Sequence, residues 1–184
     1  LQDPINIENF VPDITSKPYA LMCFHPVTAK LEPLSELIQS SIDYILKMNY
    51  HILITYPNND EGNEEIINAI EKNSGRPGIF IRKSLGSIGF YAAQNDCRFV
   101  IGNSSSGASE APYFGKQVVN VGSRQAGRDK DPSIIDVDPD IQSLKSELEK
   151  GFNYKWPSVK NSFIYGEGNS MRLILDILDS KLHL

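Results

Sequence analysis

Phe99-Val100-Ile101-Gly102-Asn103-Ser104-Ser105-Ser106-Gly107-Ala108-Ser109-Glu110 packs a strand, a turn and a helix start into one short stretch. The apolar run Phe99 to Ile101 reads as a buried strand, and the small polar residues after it let the backbone turn sharply. A helix that opens after such a loop aims unpaired N–H groups and partial positive charge past the strand end, which suits a phosphate. Ser104, Ser105 and Ser106 add hydroxyls at that place. Glu110 follows within about one and a half helical turns, where a carboxylate can accept from paired hydroxyls such as those of a ribose. Phosphate donors beside a hydroxyl reader fit a nucleotide; an N-capped loop with a solvated first-turn Glu110 fits the same residues.

The same grammar repeats on both sides of this stretch. Tyr19 to Phe24, His51 to Thr55, Ile79 to Arg82, Cys97 to Ile101, Gln117 to Val121 and Ser133 to Val137 read as strands. Their continuous apolar character implies burial on both faces, as in a parallel sheet. Between them, Leu34, Leu37, Ile38, Ile42 and Ile45 recur at helical spacing, as do Ile66, Ile67 and Ile70. Further helices are expected over 87–94, over 106–114 with Gly115 as its left-handed stop, around Leu144 and Leu148, and over 170–182. Residues 1–18, with Pro4, Pro12 and Pro18 and no periodicity, read as a linker or the edge of an upstream segment, and 19–184 as one domain. The alternation predicts an α/β, Rossmann-like parallel sheet with helices on both faces. In such folds ligands bind beyond the carboxyl ends of the strands. His25, Tyr56 to Asn58, the Arg82 to Gly86 loop, Ser104 to Ser106 and Arg124 all fall just after predicted strands, so separate loops converge on one edge.

Composition narrows the partners. The chain has 184 residues, 18 basic against 23 acidic, and a formal net charge of -5 with no basic run, which argues against nucleic acid. Cys23 and Cys97 lie inside apolar runs and read as small buried hydrophobes, consistent with a reducing cytoplasm. No zinc pattern, membrane-spanning run or secretory signal is legible. His25 precedes Pro26, which biases it towards an extended conformation and fixes its direction; an imidazole there can donate to a leaving phosphate or move a proton near neutral pH. Arg124 lies in a glycine-flanked loop, where its planar fork suits a diphosphate. Arg128 can equally pair with Asp129 or Asp131, Asn58 can be a turn residue, and Asp136, Asp138 and Asp140 read as a solvated loop and helix start. His51 and His183 lack a comparable context.

Taken as an ordered set, His25-Pro26-Val27-Thr28, Tyr56-Pro57-Asn58, Gly102 to Gly107, Glu110-Ala111-Pro112 and Gly122-Ser123-Arg124-Gln125 with Gly127-Arg128 resemble the hydrolysing UDP-N-acetylglucosamine 2-epimerase family. The resemblance covers nearly the whole chain after the leader. It implies the C-terminal, nucleotide-binding half of a two-domain GT-B-type fold, with the acid/base carboxylates on an N-terminal domain that this chain lacks. It further implies UDP-N-acetylglucosamine or a related UDP-sugar as ligand, no cofactor or metal, sialic-acid-type sugar biosynthesis, and room for a homo-oligomer. Residue by residue, His25 and Arg124 take catalytic places, Ser104, Ser105 and Ser106 hold the diphosphate, and Glu110 holds the ribose. Asn58 stands near the substrate, and the loop with Arg82 and Ser84 stands beside the base. A GT-B-type glycosyltransferase domain and a non-catalytic UDP-binding module are the alternatives.

Overall fold

A computed structural model describes residues 6–14, 17–27, 32–154, 162, 164–166 and 168–182. Thr28 and His183 lie outside these residues. Six strands, β1 (Tyr19–Cys23), β2 (His51–Thr55), β3 (Ile79–Arg82), β4 (Phe99–Gly102), β5 (Gln117–Val121) and β6 (Ile134–Val137), form one sheet in the order β3-β2-β1-β4-β5-β6. Every pairing is parallel, as the unbroken apolar runs require. This is the doubly wound order, in which the chain starts mid-sheet, winds outwards one way, then returns to wind the other.

Period-two alternation splits each strand between two cores. Ala20, Met22, Ile52, Ile54, Phe99, Ile101, Val119 and Val121 point to one face. That face is covered by α1 (Leu34–Lys47), α2 (Asn63–Glu71) and α5 (Ile141–Tyr154). Leu21, Leu53, Val100 and Val118 point to the other, under α3 (Gly86–Asp96) and a 3-10 turn at Ala111–Phe114. The leader joins this second core: a short 3-10 helix, Ile7–Asn9, brings Ile7, Val11 and Ile14 into it, and the Ile7 N–H donates to Asp96. Phe10 lies against Gly89 of α3, where a Cβ would come within 2.6 Å of its ring. Each fully buried aliphatic side chain contributes about 1.5–3 kcal/mol, so the leader segment is docked by more than its polar contacts.

The helix expected over 106–114 is two pieces, α4 (Ser105–Ser109) and the 3-10 turn Ala111–Phe114. Pro112 has no N–H to donate to Ala108, so an α-helix cannot run through it, and Glu110 takes φ -105° at the break. Gly115 does close the second piece with φ 64°. The last helix, α6 (Ser170–Leu182), has no buried residue among those described. No helix is long and apolar enough to cross a membrane among the described residues.

Candidate functional site

The sheet's order reverses between β1 and β4, and in a doubly wound fold the carboxyl ends of the strands at such a reversal border the ligand crevice. A cavity of about 540 Å³ opens there, walled by Cys23 and His25 at the end of β1, Thr55 to Asn59 at the end of β2, Lys83 to Ser87 after β3, and Ser104, Ser106 and Glu110 after β4.

His25 is held on both sides of its ring. The Asn58 N–H donates to Nδ1 at 3.0 Å, so the neutral imidazole carries its proton on Nε2. Nε2 is 3.2 Å from Ser104 Oγ, which accepts it; Ser104 Oγ also accepts from the Ser106 N–H at 3.3 Å and gives its own proton to Ser106 Oγ at 2.9 Å. Burial first and the Arg124 charge second push the His25 pKa down to about 4, against weaker raising contributions from Asp60 and Asn58. The ring is therefore a neutral hydrogen-bond donor at pH 7. Cys23, 3.5 Å from Nε2, has its thiol pKa raised by burial and stays protonated.

The serine loop is more self-contained than a bare helix start. Ser104 caps α4, and its hydroxyl and carbonyl take the N–H groups of Ser106 and Gly107. Donors available to an anion are correspondingly fewer, and a helix of only five residues adds little dipole. Ser104 and Ser106 face the cavity, whereas Ser105 is not on its wall. Glu110 is on the wall, half-buried, with Oε2 accepting from Gln94 Nε2 at 3.0 Å. It is thus a fixed carboxylate and not a solvated one.

Of the remaining expected residues, Asn58 and Ser84 line the cavity. Asn58 Nδ2 donates to Asp60 at 2.5 Å, and the Ser84 hydroxyl accepts from the Gly86 N–H at 3.1 Å. Arg82 is not brought to the wall: it pairs with Asp13 of the leader and donates to its neighbour's carbonyl. Arg82 lies two residues beyond Phe80, which faces the α3 side, so the period of two already sends it to the face the leader occupies. Lys83 stands on the wall instead, a cation the sequence reading passed over. Arg124 donates to the Asn103 carbonyl at 3.3 Å from behind the serine loop, and Arg128 is exposed. Also passed over was Glu32, whose Oε1 accepts from the Ser123 N–H and hydroxyl at 2.9 and 2.7 Å and so ties the loop of Arg124 to the segment after β1. Asp140 accepts from the Ser143 N–H at 2.9 Å, the helix-start role expected of it.

Fold and crevice together define a doubly wound α/β protein with a candidate ligand site where the strand order reverses. The chain belongs to the UDP-N-acetylglucosamine 2-epimerase family, whose model matches residues 2–179. Among similar proteins, a Legionella pneumophila UDP-N,N'-diacetylbacillosamine 2-epimerase (hydrolyzing) is 33% identical over 169 residues, covering 92% of this chain and 44% of that protein. A Campylobacter jejuni GDP/UDP-N,N'-diacetylbacillosamine 2-epimerase (hydrolyzing) is 33% identical over 135 residues, covering 71% of this chain and 34% of that one. The fold matches S. aureus MnaA in a co-structure with UDP, with a TM-score of 0.73 at 17% identity, over 97% of this chain and 48% of that one. This chain therefore spans less than half the length of these relatives.

Proposed function

We propose that the chain is the nucleotide-binding half of a hydrolysing 2-epimerase acting on UDP-N-acetylglucosamine or a related UDP-linked 2-acetamido sugar. The observation that carries this reading is the crevice itself, where a neutral His25 donor, the hydroxyls of Ser104 and Ser106 and a fixed Glu110 surround one cavity. The names of the two relatives at 33% identity support the hydrolysing type, and an Escherichia coli polysialic acid biosynthesis protein at 27% identity supports a sialic-acid-type pathway.

In the proposed reaction a base removes the C2 proton while the bond from C1 to the UDP oxygen breaks, leaving a glycal and UDP. Water then adds, its hydroxyl to C1 and a proton to C2 from the opposite face, which inverts C2 and releases the free sugar. Within this chain, Ser104, Ser106 and the Ser105 backbone would meet the diphosphate and Glu110 would accept from the ribose hydroxyls. The His25 Nε2–H, on leaving Ser104 Oγ, and the Arg124 charge would stabilise the oxygen that departs. Lys83, with Ser84 beside it, adds a positive charge on the opposite wall. Carbon-acid chemistry needs a positioned base, and the carboxylates for it are assigned to the half this chain lacks.

Calorimetry of UDP with the chain and with Glu110→Ala tests the reading. A loss of about 1.5–3 kcal/mol is expected for removing hydrogen bonds to a charged group, and equal affinities would take Glu110 out of the site. The 184-residue chain alone is expected to release no free sugar from UDP-N-acetylglucosamine, and measurable turnover would contradict the division of labour.

A further inference from the structure

We infer that Asn103 is the positioning residue that holds His25 and Arg124 in one frame, its side-chain amide continuing the β1–β4 ladder beyond the point where the backbone leaves it. The last paired residues of that ladder are Cys23 and Gly102. Gly102 has φ 138°, and a Cβ there would lie 2.0 Å from the Cys23 carbonyl oxygen, so the two chains approach more closely than any side chain permits. The Asn103 N–H still reaches Cys23 O at 3.2 Å, after which Ser104 turns the chain into its helix cap.

His25 would then be left with an N–H and a C=O facing nothing. Both are met by one side chain: Asn103 Oδ1 accepts from the His25 N–H at 2.7 Å, and Nδ2 donates to His25 O at 2.9 Å. A carboxamide carries the same donor and acceptor as a peptide unit, so it replaces the missing rung. Asn103 is fully buried, which leaves no room for water to substitute. Its own carbonyl meanwhile accepts from Gln125 Nε2 at 2.8 Å and Arg124 Nη1 at 3.3 Å. The loops after β1, β4 and β5 therefore meet at a single residue; the β5 loop holds its main-chain carbonyl, which any residue would offer, while the His25 contacts demand an amide side chain. Aspartate has no donor for His25 O, and serine is too short to span the gap.

The test uses the 184-residue chain, with Asn103→Asp and Asn103→Ser compared with wild type. Nitrogen-15 NMR reads the His25 tautomer and titration, and UDP calorimetry reads the site; the affinity arm rests on the UDP reading above. The charged groups that face His25 among the described residues are Arg124 from the loop after β5 and Asp60 from the loop after β2, with the neutral Cys23 and Ser104 beside them. Wild type should show one Nε2–H tautomer. Both variants should show mixed tautomers, a His25 titration moved up, furthest in Asn103→Asp with its added carboxylate, and UDP affinity at least tenfold weaker. A variant that lowers the melting temperature but keeps the single tautomer and titration overturns the proposal, as does a changed ring with unchanged affinity. If wild type itself does not bind UDP, the UDP reading fails while the tautomer readout still decides the clamp. Asn103→Ser carries both readouts where Asn103→Asp does not fold.

Discussion

His25 and His51 sit at opposite edges of one sheet and have different fates. His51 begins β2 at the amino edge, where its ring packs against Phe80 at 5.4 Å and against Gly78. Around it the main chain closes its own ladder: the His51 N–H donates to Pro18 O, Ile52 N–H to Gly78 O and Arg98 N–H to Tyr19 O. His25 lies past the end of β1 at the carboxyl edge, where Asn103, Ser104 and Asn58 take over from the ladder. An edge satisfied by backbone can pack shut. An edge satisfied by side chains leaves polar groups beside a cavity.

The sharpest way to break this contrast is Gly102→Ala. With φ 138° and a Cβ within 2.0 Å of a backbone oxygen, strain and overpacking together should cost about 3 kcal/mol or more in denaturant unfolding. A loss below about 1 kcal/mol would mean that close approach does not shape the carboxyl edge.

A smaller effect concerns protonation. His25 titrates at about 4 in the folded chain against an ordinary 6.5, so between those values the unfolded chain binds more protons and stability falls as pH drops. The contribution is fully present above 6.5 and is lost as pH falls through about 4. Relative to His25→Gln, wild type should lose about 2 kcal/mol over this window, the full shift being discounted for partial exposure. Parallel urea curves for the two proteins across the window would remove the buried neutral imidazole from the account. Smallest of all, His51→Gln should leave UDP affinity within about 0.5 kcal/mol while costing about 1 kcal/mol of stability. A tenfold loss of affinity would erase the distinction between the edges.

Much of the fold was legible because its signals are local. The strands at 51–55, 79–82 and 117–121 follow directly from apolar runs bounded by turn residues. The break at Glu110 runs against the single helix expected over 106–114, although its signal is local: Pro112 has no N–H to continue an α-helix. For the site, strand ends pointed to His25, Asn58, Ser104 and Ser106 on the cavity wall, because a doubly wound topology gathers strand ends. What could not be read was long-range pairing. Nothing near Arg82 announces Asp13, nothing near Glu110 announces Gln94, and Asn103 looks like a loop residue until β1 lies beside β4.

The docked leader reaches the rim of the crevice. Phe10 rests on Gly89 and Asp13 grips Arg82, whose next residue, Lys83, stands on the cavity wall. The Asp13–Arg82 pair thus lies one peptide unit from the cavity wall. The loop after β4 is tied to the end of β1 through Asn103 instead, so the two sides of the crevice are held by different parts of the chain.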